Sequence, residues 1–126
     1  MGLIHTTITL STPKYDSMQQ ITTKVFVDTG ALHLCIPEHI ALQLNLTTLL
    51  SREATLADGN RYKIHYAGSV LVQFETRRAF VGAMILGDDV LLGIIPMEDL
   101  DFVTHPASQS LRINPDSPNM AMSWVK

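Results

Sequence analysis

Short apolar runs that alternate with polar, turn-forming stretches follow one another along most of the chain. Strands of a half-buried sheet show this pattern, whereas helices need a longer hydrophobic repeat of about 3.6 residues. The pattern therefore predicts a mostly β structure. Strands or strand pairs are expected at 3–10, 21–27, 31–36, 52–66, 68–74, 78–86 and from residue 90 onward.

Two segments carry helical signals instead. The longer one, 37–45, begins with Pro37 at the first helical position and continues with Glu38, which suits the positive end of the helix dipole. The shorter one is acidic and begins at Pro96, directly after a buried strand. The apolar positions of the longer segment fall on one face, namely Ile40, Ala41 and Leu44. We therefore expect one main helix and one short C-terminal helix.

Turn residues place the connections. Asp58 and Gly59 form a strong two-residue hairpin signal and predict a β-hairpin over 52–66. A second polar turn is predicted at 75–77. The tail, 104–126, is rich in loop-forming residues, and short strands are predicted in it at 111–113 and 120–125.

Composition narrows the classes of function. The 126 residues suffice for a single domain, 1–126, and 46% apolar with 17% charged residues indicates a globular chain. The net charge is −3 and the nine Lys and Arg residues are scattered, so no basic patch for nucleic acid is expected. No apolar run approaches the roughly 20 residues of a membrane span. We expect neither a nucleic-acid partner nor a membrane partner.

The compartment is inferred from the cysteine count and the first residues. The single Cys35 has no internal disulfide partner, which suits a reducing compartment. The first ten residues lack the basic start, apolar block and small-residue cleavage site of a signal peptide. We therefore expect a cytoplasmic location.

An ionisable residue interrupts two segments that both have a buried pattern. Asp28, Thr29 and Gly30 follow the apolar run 25–27 and precede the next predicted strand. A carboxylate there is costly unless it is hydrogen-bonded or used, and the glycine allows another backbone to approach. An ordinary turn with a solvated Asp has the same sequence. Chemically, Asp28 can activate a water when a second acid shares the proton.

The segments around this motif resemble the retroviral-type aspartic peptidases (retropepsins) and their small bacterial relatives. The family pattern of an apolar strand ending in Asp-Thr-Gly-Ala is matched by VFVDTGA at 25–31, and a strand leading to a helix follows at 32–44. The β-hairpin flap of the family is matched by 55–66. A strand that ends in two apolar residues and a glycine before a short helix is matched at 90–100, by Leu91, Leu92 and Gly93. Order and spacing agree over 20–103.

The resemblance implies a closed retropepsin-like (acid protease) β-barrel and an aspartic-type endopeptidase that acts as a homodimer. The chain has one Asp-Thr-Gly, so a second copy would supply the second catalytic aspartate. The two Asp28 carboxylates would share one proton and activate a water that hydrolyses a peptide bond of a peptide or unfolded protein. Thr29 would bond across the dimer, Gly30 would let the loops approach and Ala31 would pack beneath them. No cofactor is implied.

The resemblance also assigns a substrate-binding flap and a structural motif. The flap residues are Ala57, Asp58, Gly59 and Asn60, and the structural motif is Leu91, Leu92 and Gly93. The flap tip has one glycine where retropepsin flaps are glycine-rich, and Ile94 stands where retroviral members usually carry an arginine. The tail, 104–126, is expected to contribute strands to the dimer interface. The alternative function is a non-catalytic retropepsin-like module that binds peptide or dimerises.

Other chemistry-bearing residues have simpler interpretations. His33, Cys35, Glu38 and His39 are close in sequence but match no zinc spacing, and no metal site is predicted. On an alternating strand, His33 and Cys35 share a face that core packing also explains. A buried cysteine is usually an inert apolar residue rather than a nucleophile.

The remaining acidic and apolar clusters are expected to be structural. Asp88 and Asp89 suit a solvated turn. The exposed face of the last helix is expected to carry Glu98, Asp99 and Asp101. An apolar strand face for the core or a dimer contact is expected from the alternating residues Met120, Met122 and Trp124.

Overall fold

A computed structural model of the chain describes residues 4–12, 19–47, 50–108 and 110–123. The helices are α1 (Glu38–Gln43) and α2 (Ile94–Leu100), and a 3-10 turn covers Pro106–Ser108. The strands are β1 (Ile4–Thr12), β2 (Gln19–Val27), β3 (Leu34–Ile36), β4 (Leu50–Thr55), β5 (Arg61–Phe74), β6 (Arg77–Ile85), β7 (Val90–Leu92), β8 (Phe102–His105) and β9 (Ser110–Ile113). Within the described ranges, neither helix has the length and apolar content needed to cross a membrane.

Six strands close into a barrel. The sheet order is β1-β2-β7-β3-β6-β5-β4, and β5 also pairs with β1, with Leu10 opposite Val72. That pairing closes the circle of β1, β2, β7, β3, β6 and β5. β4 lies outside this circle and pairs with the first half of β5, residues 61–66. β2 runs parallel to β7, and β3 runs parallel to β6. The prediction of a mostly β fold with a closed barrel and two helices is confirmed.

The core lies inside this barrel and fixes the register of its strands. Alternate residues point inward, so that Ile8 and Leu10 of β1 face Val25 and Val27 of β2 within one buried cluster. Burying each such side chain contributes about 1.5–3 kcal/mol, and a one-residue slip would turn the whole set outward. The other strands and both helices add further fully buried side chains, among them Leu34, Ile36, Leu44, Val70, Val72, Leu92 and Leu100.

The predicted hairpin at Asp58-Gly59 is present. Thr55 pairs with Arg61 across the turn, and Gly59 has the positive φ of 82° that the turn requires. The segments predicted as separate strands before and after Gly68 form one strand, β5. Gly68 lies within a register shift between Ala67 and Val70, so this glycine marks a bulge and not the end of a strand.

Several element boundaries differ from the predictions. β3 begins at Leu34 and not at residue 31, because the carbonyl oxygens of Ala31 and Leu32 accept hydrogen bonds from α2 and not from a neighbouring strand. α1 begins at Glu38, with Pro37 as its extended N-cap and not its first helical residue. α2 begins at Ile94, two residues before the predicted start.

The predicted turn at 75–77 is one residue too long, because Arg77 is the first residue of β6 and is buried. Its side chain is 3% exposed and forms an ion pair with Asp101 at 3.6 Å. Its guanidinium also donates hydrogen bonds to the carbonyl oxygens of Leu100, at 3.1 Å, and of Ser117. A buried arginine with these partners joins β6 to the end of α2 and to the tail.

Asp101 was predicted on the exposed face of the last helix, and this is wrong. It is the left-handed C-cap residue of α2, with a φ of 56°, and its side chain turns towards the tail. Its carboxylate accepts hydrogen bonds from the Asn114 side chain at 3.1 Å, the Met122 backbone at 3.0 Å and the Ser117 hydroxyl. These bonds fix part of the tail against the barrel.

The rest of the tail matches the sequence prediction in part. The strand expected at 111–113 is present as β9, which pairs with β8 in a two-stranded sheet. The strand expected at 120–125 is absent over 120–123, where Met120 and Met122 are exposed. Trp124 lies outside the described residues.

Candidate functional site

Asp28 lies at the end of β2, on a loop that its own backbone holds in place. Its N–H donates a hydrogen bond to the carbonyl oxygen of Leu92 at 3.0 Å, and its carbonyl oxygen accepts one from Ala31 at 3.1 Å. The Gly30 N–H donates to the Asp28 carboxylate at 2.9 Å. Asp28 is half-buried, while Thr29 and Gly30 are exposed. The carboxylate is thus oriented by a short turn and still open to solvent.

Gly93 brings the distal motif against this loop. A Cβ on Gly93 would lie 2.5 Å from the carbonyl oxygen of His33 and 2.8 Å from that of Ala31, so only glycine fits without movement. The first two N–H groups of α2 donate hydrogen bonds to the same loop: Ile94 donates to the carbonyl oxygen of Ala31 at 3.0 Å, and Ile95 donates to that of Leu32 at 2.9 Å. The two motifs that are far apart in sequence therefore form one junction.

Side chains on the outer face of the sheet form a row that starts beside Asp28. Asp28 continues the alternation of β2, which puts it on the face of Phe26. Successive paired residues extend this face from strand to strand, and we call them the outer row: Phe26, Leu91, Cys35, Met84, Tyr66 and Leu50. Burial raises the pKa of the Cys35 thiol, and the negative charge of Asp28 raises it further.

His33 and Arg52 both contact Tyr66, near the end of the outer row that is farther from Asp28. The His33 and Tyr66 rings meet edge to face with centroids 5.7 Å apart, and the Arg52 guanidinium lies 4.5 Å from the centroid of the Tyr66 ring. Burial lowers the pKa of His33, and the charge of Arg52 lowers it further. Tyr66 lies across Gly82, where a Cβ would collide with its ring.

A cavity of about 440 Å³ opens beside Tyr66. It is lined by residues of β4, β5, β6 and the preceding loop, among them Thr47, Leu50, Tyr66, Ser69 and Gly82. Apolar and aromatic walls with a few polar groups are typical of sites for small ligands or single side chains. The cavity is therefore a candidate pocket at one end of the outer row.

The hairpin of β4 and β5 has two different faces. Arg52 shares the face of Leu50 and Tyr66, whereas Glu53 and Arg61 form a 3.9 Å ion pair on the opposite, solvent-facing side. At the tip, Ala57, Asp58, Gly59 and Asn60 are all exposed.

The hydrogen bonds at this tip are local. Asp58 accepts from the Tyr62 hydroxyl and from the Asn60 backbone at 2.9 Å, which lowers the pKa of the Asp58 carboxyl, with the Tyr62 bond as the larger cause. The residues predicted as a flap therefore form a self-bonded turn.

Arg52 and Tyr66 were not predicted as site residues. A two-residue turn at Asp58-Gly59 would pair Arg52 with His65 and would put Tyr66 on the opposite face of the hairpin. The loop between β4 and β5 instead spans 56–60, so that Leu50 lies opposite Tyr66 and Arg52 lies opposite Ile64. This register puts Arg52 and Tyr66 on one face, and the turn residues alone do not predict it.

The other candidate residues do not assemble into a site. Glu38 and His39 are exposed on α1, and Asp88 and Asp89 are exposed in the turn before β7. Within the described ranges, no three His, Cys, Asp or Glu side chains lie close enough to hold a metal ion. Among the described residues, the predicted catalytic loop and the predicted structural motif meet at the junction of Asp28 with Gly93, beside the outer row.

No protein-family model matches the chain, and no curated protein matches it. The side chains around Asp28 are therefore the basis for a function.

Proposed function

We propose that the protein is an aspartic-type endopeptidase with a retropepsin-like barrel, and that it works as a homodimer. One observation carries the proposal: the loop with Asp28 is fastened to the Leu92-Gly93 junction by backbone hydrogen bonds, while its carboxylate stays open to solvent. An ordinary solvated turn does not need a second, distant strand and a helix N-terminus to hold its backbone. A carboxylate that must be positioned for chemistry does.

The reaction needs a second carboxylate. In the homodimer, the two Asp28 side chains face each other across the two-fold axis and share one proton. The ionised carboxylate takes a proton from the attacking water, and the protonated one donates a hydrogen bond to the carbonyl oxygen of the peptide bond. The leaving amine then collects a proton from the pair. Activity requires the singly protonated pair and therefore falls at both low and high pH.

An apolar cluster beside the loop supports the second copy as partner. Leu32, Ile94 and Ile95 are 55%, 37% and 36% exposed, and Ile95 bonds to the Leu32 carbonyl at 2.9 Å. Large apolar side chains grouped on a surface favour association with another protein surface. Because this cluster directly follows the Asp28 turn, covering it with the same cluster of a second chain would bring the two carboxylates together.

The hairpin is proposed as the flap that covers the bound peptide. Its exposed tip and its two-sided character, with apolar residues and Arg52 on one face, suit a lid over the outer row. A peptide or unfolded protein would then lie between the tip of the hairpin and the outer row. We propose a cytoplasmic location for this activity, in keeping with the unpaired Cys35.

A second candidate is a non-catalytic module of the same fold that binds peptide or dimerises. The bonds of Asp58 to Tyr62 and Asn60 favour it, because they hold the hairpin tip in a closed local turn. A tip fastened to itself is a poorer lid for excluding water from a reaction. The binding surface would be the same.

The deciding experiment compares Asp28→Asn with Asp89→Asn, a matched control in an exposed turn. An unfolded protein is incubated with each variant across a range of pH, and cleavage is followed. We expect Asp28→Asn to remove cleavage and Asp89→Asn to retain it. Cleavage that survives Asp28→Asn would overturn the proposal, and a well-formed dimer without cleavage at any pH would favour the module.

Mixing the chains tests whether each site needs two copies. If one active site uses both Asp28 residues, equal amounts of wild type and Asp28→Asn leave about one quarter of the dimers fully active. Activity per wild-type chain therefore falls to about half when the variant is added at equal concentration. Activity that is indifferent to added Asp28→Asn chains would mean that each chain works alone.

A further inference from the structure

Arg52 is a cation with no acidic partner in the described part of the chain. Arg61 pairs with Glu53 and Arg77 pairs with Asp101, but the contact of Arg52 is the face of the Tyr66 ring. Stacking on an aromatic ring holds the planar guanidinium while leaving its N–H donors available. Arg52 is therefore positioned to receive an anion.

The surroundings of Arg52 restrict what that anion can be. Arg52 lies on the same hairpin face as Leu50 and Tyr66, next to the cavity of about 440 Å³ that these two residues line. The His33 ring meets the Tyr66 ring edge to face, and its ring nitrogens add hydrogen-bonding capacity. A cavity of this size with one cation beside it fits a single acidic side chain on an otherwise apolar segment.

The position along a bound peptide follows from the spacing of the strands. Four strand-to-strand steps, from β2 through β7, β3 and β6 to β5, separate the strand that ends at Asp28 from Tyr66, which is about 19 Å at about 4.8 Å per step. An extended peptide advances about 3.3 Å per residue. A peptide that crosses the outer row from Asp28 to Tyr66 therefore reaches Arg52 about six residues from the bond opposite Asp28.

We propose that Arg52, held on Tyr66 beside His33, selects peptides that carry a Glu or Asp side chain about six residues from the point opposite Asp28. The inference rests on the proposed function for the peptide as ligand. Its chemistry is the pairing of a planar guanidinium with a carboxylate, which two parallel N–H···O bonds make geometrically specific. Glu53 does not compete, because it faces away from the outer row and pairs with Arg61.

The test measures peptide binding to the Asp28→Asn chain, so that cleavage does not interfere. One series of unstructured peptides carries a single Glu at successive positions, and a matched series carries Gln at the same positions. We expect one position at which the Glu peptide binds about five- to tenfold more tightly than its Gln counterpart. Adding Arg52→Gln should reduce that ratio to about one.

Arg61→Gln is the matched control, since Arg61 is a cation on the opposite face of the same hairpin. It should leave the Glu-to-Gln ratio unchanged, whereas an equal loss in both variants would indicate a non-specific charge effect and overturn the proposal. A ratio of one at every position, or no peptide binding up to about 1 mM, would overturn it as well. Cleavage by the chain with Asp28 intact tests the proposed function separately, because a peptidase without acidic preference would fail only the binding ratio.

Discussion

Gly93 lies against the backbone of His33, so closely that a Cβ on Gly93 would be 2.5 Å from the His33 carbonyl oxygen. This contact joins the start of α2 to the loop that begins at Asp28. Real Cβ atoms do not approach backbone oxygens so closely, and neither backbone segment is free to move. β7 and α2 hold Gly93, while the hydrogen bonds of Ile94 and Ile95 hold the loop.

We therefore expect Gly93→Ala to lower the free energy of unfolding by about 2–3 kcal/mol, because the added methyl group forces the two backbones apart. Denaturation by urea measures this change. Gly59→Ala is the comparison, since Gly59 has open space around it and costs only about 1 kcal/mol for its positive φ. Equal losses in the two variants would contradict the close contact at Gly93.

Much of the fold was predictable because its signals are local. The turn at Asp58-Gly59 and the strands beside it follow from neighbouring residues, and so does the face of α1 with Ile40 and Leu44. The closed barrel was expected from a resemblance in the order of the motifs, and the pairing of β1 with β5 confirms the closure.

The parts that were not predicted depend on partners far away in sequence. Arg77 was assigned to a turn because charged side chains are usually exposed to solvent. The buried carbonyl oxygens that it contacts, of Leu100 and Ser117, lie 23 and 40 residues further along the chain. Similarly, Ala31 and Leu32 have strand-like sequence, but α2 takes their carbonyl oxygens. Neither contact can be predicted from the neighbouring residues in the sequence.

Arg77→Leu tests the largest of these unpredicted contacts. Removing the guanidinium leaves the buried carbonyl oxygens of Leu100 and Ser117 without this donor, so we expect a loss of about 3 kcal/mol in the free energy of unfolding. Arg78→Ala, at the exposed neighbouring position, should change it by less than about 0.5 kcal/mol. Urea denaturation of both variants provides the measurement, and similar small effects would mean that Arg77 is not an effective link to the tail.

The hydrogen bonds of Asp101 predict a dependence of stability on pH. Bonds from Ser117 first, then from Asn114 and Met122, lower the pKa of the Asp101 carboxyl from 3.8 to about 2, and the charge of Arg77 contributes in the same direction. A carboxyl whose pKa is lower in the folded state stabilises the fold above its unfolded pKa. That contribution is present at pH 5 and above and is lost as the pH falls from about 4 through about 2.

Asp101→Asn separates this effect from general acid denaturation. The difference in urea midpoint between wild type and Asp101→Asn should be constant above about pH 5 and should shrink as the pH falls towards 2. Asp99→Asn, an exposed carboxyl of the same helix, serves as the control and should show little difference from wild type. A difference between wild type and Asp101→Asn that does not vary with pH would show that charge at Asp101 is unimportant.

The proposed dimer makes its sharpest prediction at Leu32. Leu32 is 55% exposed and adjoins Ile94 and Ile95 at the end of the Asp28 loop, so a second copy would bury it. Truncating a large apolar side chain at such an interface costs roughly 1–2 kcal/mol, which corresponds to about a tenfold weaker dimer. Sedimentation equilibrium of Leu32→Ser should show this shift.

Leu42→Ser is the matched control for that experiment. Leu42 is 69% exposed on α1, where the proposed interface does not reach, so its replacement should leave the dimer unchanged. The same preparations can be assayed for cleavage. A weakened dimer should be less active at low protein concentration, and its activity should return at high concentration, where the dimer forms again. If Leu32→Ser and Leu42→Ser associate equally well, the two chains do not meet at the Asp28 loop, and Asp28 has no second carboxylate with which to share a proton.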